Sequence, residues 1–386
     1  MRNPRRDPSS DSSEPVQLTD ARASLAALLE QVTSHQRDIT ISHYRTPIAK
    51  LIPISHLASD LPVLRIMPVR RLRDAFKAAI WDVNTQRQAI KITQYSTPVA
   101  ALIPLSLEPT SKEPPMLRIA TWNESGGSGK TTIAVEAAFL LSQRMNPATG
   151  QPYRVLLVDT DPQASLSRRL GLSDDPSSPA HRLSSTVGSF LNDPAEDPPV
   201  PLTPAQFPGL HVIPANSKLS KVDATILMND EDIGNLRLLL DHFEGRYDIV
   251  VIDTPPSRGG LARAALSAAD HVLIPVNSSM KAIENFNQVL EVVQQCRRFS
   301  PNLKVSAFVV TSFSKNLNHD RDVLEILTTH YNAIAPSTTP ITYRKSVFND
   351  AMIGRTVVPL WKPKDPAVRE LNLMVDEVLS FVGVRP

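Results

Sequence analysis

Three clusters of acidic or glycine-rich residues carry the residue types that phosphate chemistry needs. Gly126, Gly127, Ser128 and Gly129 run directly into Lys130, Thr131 and Thr132. Glycines in such a turn let backbone N–H groups converge on an anion, and a helix starting there adds the positive end of its dipole. A lysine at the end of the turn reaches β- and γ-phosphates, and the hydroxyl after it binds Mg²⁺. The chain has 13 glycines in 386 residues, so three within four positions are a built turn and not background. Asp159 and Asp161 follow the apolar run 155–158, and Asp253 follows the apolar run 249–252. An acid at a strand end is by itself often a helix N-cap. Beside a GKTT turn the stronger expectation is that Asp253 holds a metal through water and Asp161 orients an attacking water.

These residues need a scaffold that gathers strand ends. Leu117–Trp122 is rich in β-formers and meets the glycine turn. Ile133, Ala137, Leu140 and Leu141 then repeat at helical spacing behind it. Further strands are predicted at 155–158, 211–215, 248–252, 271–277 and 305–312, most of them followed by a helix. Residues 146–152 are predicted to turn. Residues 173–208, rich in Pro, Ser and Asp, are predicted as surface loop broken by a helix over 183–191. Strands alternating with helices predict an α/β P-loop NTPase domain with a mostly parallel sheet covered by helices on both faces. In such sheets ligands sit at the carboxyl ends of the strands, where the three clusters fall.

Ahead of this domain the chain repeats itself. Residues 16–55 and 67–106 align at an offset of 51, so that Tyr44-Arg45-Thr46-Pro47 matches Tyr95-Ser96-Thr97-Pro98 and Leu51-Ile52-Pro53 matches Leu102-Ile103-Pro104. Each copy predicts one helix (21–33 and 72–84) and then a β-hairpin, a small α+β unit. About 40 residues bury too little apolar surface to be stable alone, so the two copies are expected to pack as a pseudo-symmetric pair. The domain limits expected are a disordered tail over 1–15, the tandem repeats over 16–106, a linker over 107–116 and the P-loop domain over 117–386.

Composition narrows the remaining classes. A hydrophobic content of 41% with 21% charged residues predicts a soluble globular protein, and no run approaches the 18 apolar residues of a membrane span. The basic, then polar, N-terminal stretch has no apolar core and is expected to be a tail, not a signal peptide. Cys296 is the only cysteine, which excludes an internal disulfide and a cysteine-rich metal site and fits a reducing cytoplasm. A net charge of +2 leaves nucleic-acid contact to local patches.

The motifs GGSGKTT, VLLVDTDPQASLS and YDIVVIDTPPS, with Ile341-Thr342-Tyr343-Arg344, Asn349-Asp350-Ala351-Met352 and Gly354-Arg355-Thr356 near the end, resemble the ParA group of deviant Walker ATPases, which segregate plasmids and chromosomes. The resemblance covers about residues 117–382. It implies ATP and Mg²⁺ as cofactors, with Gly126 to Thr132 and Asp159 at the nucleotide and Thr131 and Asp253 at the metal. Lys130, Asp161 and Asp253 take the catalytic roles. It also implies an ATP-dependent homodimer, nonspecific DNA contact near Lys315, Arg344 and Lys345, a ParB-like centromere-binding partner that stimulates hydrolysis, and a cytoplasmic, nucleoid-associated protein. Iron–sulfur carrier relatives need a Cys-x-x-Cys, and the tyrosine-kinase relatives need a C-terminal tyrosine cluster; neither is present. The last helical pattern, 366–382, is expected to pack on the core and not on a membrane as in the MinD branch.

Each N-terminal copy is similar to the DNA-binding part of the Phd/YefM antitoxin family, on the residues Thr40 to Pro53 and their counterparts from Lys91 to Pro104. That resemblance implies operator binding by the paired copies, with Arg22, Arg45 and Arg73 among the phosphate contacts. A departure in the ATPase motif bears on mechanism. Where the ParA pattern starts with a signature lysine reaching the opposite subunit's nucleotide, this chain has Ser125, preceded by Glu124. Serine brings no cation to the phosphates, so slow hydrolysis is expected. The alternative is a nucleotide-gated DNA-binding repressor or scaffold with little turnover; a weaker third is an ATPase positioning another cargo.

Overall fold

The computed structural model describes residues 15–43, 46–57, 61–86, 88–94, 97–105, 115–172, 185–194, 197–216, 218–279, 283, 286–342 and 344–384. The chain divides into two compact units, residues 1–110 and 111–386. Most of the expected tail and linker, with Tyr44, Arg45, Arg87, Tyr95, Ser96 and Tyr343, lies outside the described residues.

The first unit is one six-stranded sheet with the helices of both repeats. The first repeat supplies β1 (Val16–Gln17), α1 (Leu18–Ala23), α2 (Leu25–His35), β2 (Ile39–His43) and β3 (Thr46–Pro53). The second supplies β4 (Val63–Pro68), α3 (Val69–Asp74), α4 (Phe76–Gln86), β5 (Ala89–Gln94) and β6 (Thr97–Pro104). The strand order is β1-β2-β3-β6-β5-β4, so the copies meet where β3 pairs antiparallel with β6. The core uses matching positions of the two copies: Val32 with Val83, Ile41 with Ile92, and Leu51 with Leu102, all fully buried. The single helix predicted in each copy is instead a broken pair starting three residues earlier. It breaks at Ser24 and Ala75, which leave helical geometry, and the Ser24 hydroxyl donates to the Asp20 carbonyl.

The second unit is a parallel sheet built from β7 (Leu117–Thr121), β10 (Val155–Asp159), β11 (Leu210–Ile213), β12 (Ile249–Asp253), β13 (His271–Asn277) and β14 (Lys304–Thr311), with a short hairpin, β8 (Met145–Asn146) and β9 (Gln151–Pro152), inside the predicted turn. The order β11-β10-β12-β7-β13-β14 places β7 at the centre of the sheet. Every pairing in this sheet is parallel. These strands are almost wholly buried, as near-continuous Val, Ile and Leu runs require when both faces are covered. The helices in chain order are α5 (Lys130–Ser142), α6 (Ser165–Arg169), α7 (Val187–Asn192), α8 (Leu219–Met228), α9 (Asn235–Asp241), α10 (Gly260–Ala268), α11 (Phe286–Cys296), α12 (Asn318–Thr329), α13 (Lys345–Ile353), α14 (Val358–Trp361) and α15 (Pro366–Phe381).

Several boundaries moved. The third strand starts at Leu210 and ends at Ile213, because the backbone pairs with β10 only over those residues. The described part of the predicted 183–191 helix begins at Val187, where Thr186 and Ser189 form a reciprocal N-terminal cap. The last helix, α15, buries Leu371, Met374, Val375, Val378 and Leu379 in the same core as α5. Among the described residues, no helix is long and apolar enough to cross a membrane.

Candidate nucleotide site

The carboxyl ends of β7, β10 and β12 bring the three clusters together. β12 pairs with β7 on one side and β10 on the other, with Asp253 opposite Thr121 and Asp159. From Thr121 the chain runs through Asn123, whose amide donates to the Pro275 carbonyl and whose Oδ1 takes the Ser125 N–H. The loop then turns with Gly127 at φ +72° and Gly129 at φ +91°, a region that disfavours residues with a Cβ. A Cβ at Gly126 or Gly127 would meet nothing, so the face of the loop is open to a ligand. Behind it Thr311, at the end of β14, donates to the Ser128 carbonyl at 2.9 Å and packs against Gly129.

Lys130 is 6% exposed. Its Nζ donates to the Ser125 carbonyl at 2.8 Å and approaches the Ser128 hydroxyl at 3.4 Å, so the ammonium lies across the loop mouth. Burial lowers its pKa, and the nearby Asp253 and Asp161 work against that shift. Asp253 is fully buried, and neither of its carboxylate oxygens has a hydrogen-bond partner in place. Burial, then repulsion from Asp159, raises its pKa well above the ordinary carboxylate value; the neighbouring Thr131 hydroxyl offsets this only in part. Two unpartnered buried oxygens beside a lysine and a threonine are what a hydrated divalent cation would satisfy. The donor set therefore fits a nucleoside triphosphate held with Mg²⁺: loop amides and Lys130 for the phosphates, Thr131 and Asp253 for the ion.

Asp159, expected at the nucleotide, is hydrogen-bonded within its own chain. Its Oδ1 takes the Asp161 N–H at 3.0 Å, and its Oδ2 takes both the Ser167 N–H at 3.0 Å and the Ser167 hydroxyl at 2.7 Å. Ser167 Oγ in turn accepts from the Ala215 N–H at 2.9 Å. Asp159 is thus the clamp that positions the 160–167 loop and with it Asp161. Burial pushes its carboxyl up to about 6 despite these donors. Asp161 turns its Oδ1 to the Gln163 N–H at 2.8 Å, and its carboxylate stays within electrostatic reach of Lys130.

The expected DNA contacts fall in different surroundings. Lys315 and Lys345 are exposed, as are Arg22 and Arg73, which occupy the same position in the two repeats. Arg344 is committed: its Nη1 and Nη2 fork onto Glu370 at 2.6 and 2.9 Å, with Asp365 3.6 Å away. It anchors the segment before α13 and is not a free phosphate ligand. Arg45 lies outside the described residues.

Sequence reasoning missed a buried ion pair beneath the site. Glu136 on α5 and Arg169 on α6 meet at 2.5 Å, 0% and 3% exposed, and Glu136 also takes the Val358 N–H. The signal was present, since Glu136 is the one charge inside the apolar run Ile133–Leu141.

Comparison with known proteins decides the family. A family model described as an AAA domain matches residues 116–305. A probable plasmid-partitioning protein ParA of Thermus thermophilus is 33% identical over 269 residues, 68% of this chain and 77% of that one. The chain belongs to the ParA family. A chromosome partitioning protein ParA of Myxococcus xanthus is 31% identical over 206 residues, covering 53% of this chain and 67% of its own length. Among solved structures, apo McdA of Cyanothece superposes at a TM-score of 0.58 with 22% identity, over 69% of this chain and all of that one, a likeness of fold. Cobyrinic acid a,c-diamide synthase of Mycobacterium smegmatis, solved with an ATP analogue and magnesium, is 27% identical at a TM-score of 0.51, over 62% of this ParA-type chain and 91% of its own.

Proposed function

We propose that the chain is a ParA-like partition ATPase that binds ATP with Mg²⁺, dimerises over it, holds DNA in that state and lets go on hydrolysis stimulated by a ParB-like partner. The observation that carries this is the buried, unpartnered Asp253 carboxylate set against the open glycine loop, Lys130 and Thr131. Phosphoryl transfer asks little covalent chemistry of a protein; it asks for positioning and charge. Bound Mg²⁺ would supply Lewis-acid neutralisation of the phosphate oxygens. The chain's own residues supply the rest. Loop amides and Lys130 hold the phosphates, Asp253 holds the ion's water shell, and Asp161, fixed by Asp159, orients the attacking water. Lys315 and Lys345 are the proposed nonspecific DNA contacts. The tandem unit, over residues 16–106, is proposed as a Phd-like DNA reader whose phosphate contacts include Arg22 and Arg73.

Ser125 favours one competing reading, a nucleotide-gated DNA-binding scaffold with negligible turnover, because no lysine stands at that position. One experiment separates them: full-length chain retained on nonspecific duplex DNA, with ATP or ADP and Mg²⁺, across salt concentration, while phosphate release is followed. ATP-dependent retention with a steep salt slope and measurable release supports the partition ATPase. Retention gated by ATP without any release supports the scaffold, and retention indifferent to nucleotide overturns both.

A further inference from the structure

A guanidinium stands beside the phosphate loop at the place where the chain lacks its lysine. Arg258 Nε donates to the Glu124 carboxylate, and its Nη2 donates to Gln288 on α11. Glu124 is the residue next to Ser125, so the pair ties Arg258 directly to the start of the loop. The side chain is 42% exposed.

The backbone that carries Arg258 is fixed at several points. The loop leaves β12 immediately after Asp253, and the Thr254 hydroxyl donates to the Thr121 carbonyl at 2.7 Å. Trp122 Nε1 donates to the Ser257 carbonyl at 3.1 Å, and Arg263 Nε to the Arg258 carbonyl at 3.2 Å. Asp223 Oδ1 takes the Leu261 N–H at 2.7 Å, and a Cβ at Gly259 would stand 2.6 Å from the same carboxylate, so the loop packs closely against α8. A guanidinium has five N–H donors, so an arginine that spends one on a carboxylate and one on an amide oxygen keeps the others for an oxyanion.

Charge makes the case for use. Among the described residues, Asp159, Asp161 and Asp253 are buried at the site against one buried lysine, Lys130. A polyanionic ligand entering there meets more negative than positive charge from the chain, even with its own metal ion. Phosphate recognition in water-excluded sites relies on fixed cations for the terminal phosphate. We propose that Arg258, oriented by Glu124, is the cation that recognises the terminal phosphate of the bound triphosphate. The proposal rests on the ATP site described above and names the residue by which that site tells ATP from ADP.

The test is equilibrium binding of fluorescent ATP and ADP, with Mg²⁺, to the full chain and its variants. Arg258→Gln is expected to weaken ATP at least about fivefold while leaving ADP affinity nearly unchanged, the loss of one charge-assisted contact to the terminal phosphate. Arg258→Lys keeps part of the preference. Equal weakening of ATP and ADP, or unchanged binding of both, overturns the assignment while leaving the ATP site intact. A parent chain that binds neither nucleotide removes the ATP site itself, and the assignment with it.

Discussion

Leu51 lies directly opposite Leu102 at the centre of the β3–β6 seam. Leu102 is also the residue equivalent to Leu51 in the second repeat, at the offset of 51. An antiparallel pair formed by one position with its own counterpart places a local twofold axis between them. The tandem unit is therefore a dimer written into one chain, with the axis through this pair. Both leucines are fully buried, so Leu51→Ala and Leu102→Ala should each destabilise the unit by about 2–4 kcal/mol, and by similar amounts. Hydrogen exchange at β3 and β6 in each variant measures this; one variant far milder than the other would refute the symmetric seam.

Asp253 predicts a trade between stability and ligand response. A buried carboxylate without partners penalises the folded state unless an ion satisfies it. Asp253→Asn should raise the stability of the metal-free chain by about 1 kcal/mol and abolish the added stabilisation by ATP with Mg²⁺. Thermal denaturation with and without the ligands reads both. A variant that is less stable without metal yet still responds fully would contradict the assignment.

The Glu136–Arg169 pair should behave differently. Removing one partner leaves the other charged and buried, at a cost of about 3–5 kcal/mol. Glu136→Ala also strips the acceptor from the Val358 N–H, so α5, α6 and the start of α14 should loosen together. A double change to Met at both positions should recover much of the loss, measured by chemical denaturation. No recovery would mean that the pair is needed for more than mutual neutralisation.

Glu370 sets an acid limit. Burial alone would raise its pKa, but the Arg344 fork and the Thr342 N–H and hydroxyl outweigh it and lower the value. The folded state thus holds the ionised form more tightly than the unfolded chain, whose carboxylate titrates at 4.5. The stabilisation is present above that pH and is lost as pH falls through the lower folded value. Glu370→Gln should cost about 1 kcal/mol at pH 7 and less at pH 3, as read from denaturation midpoints across that range. An equal cost at both would show that charge is not what Glu370 contributes.

Much of this architecture was readable because its signals are local. The glycine loop, the apolar strand runs and the acids closing them each lie within ten residues, and a parallel sheet converts them into one site. The repeat was readable as self-similarity, although its helices were not placed correctly, since Ser24 and Ala75 carry no strong breaking signal. What remained hidden depends on distant partners. Nothing in VLLVDTDPQ says that Asp159 spends both oxygens on Ser167 and Asp161. The sequence around Arg344 does not show that it forks onto Glu370, 26 residues on. Arg258 was invisible for the same reason, being 134 residues from Glu124.

The absence of a lysine at position 125 predicts how turnover should respond to its return. Charge develops on the transferring phosphoryl group, and a cation fixed there lowers the barrier where nothing else compensates. In the ParA family that cation comes from the signature position, here occupied by Ser125, whose carbonyl already receives Lys130 Nζ at 2.8 Å. The carbonyl contact survives any side-chain change, so Ser125→Lys should leave the loop intact. Phosphate release with DNA and the proposed ParB-like partner present should rise about tenfold in Ser125→Lys, corresponding to about 1.4 kcal/mol of transition-state stabilisation. Asp161→Ala in the same background should return it to background while nucleotide binding persists, because the role proposed for Asp161 is to orient water and not to hold phosphate. If Ser125→Lys hydrolyses ATP no faster than the parent, the missing cation does not limit this chain.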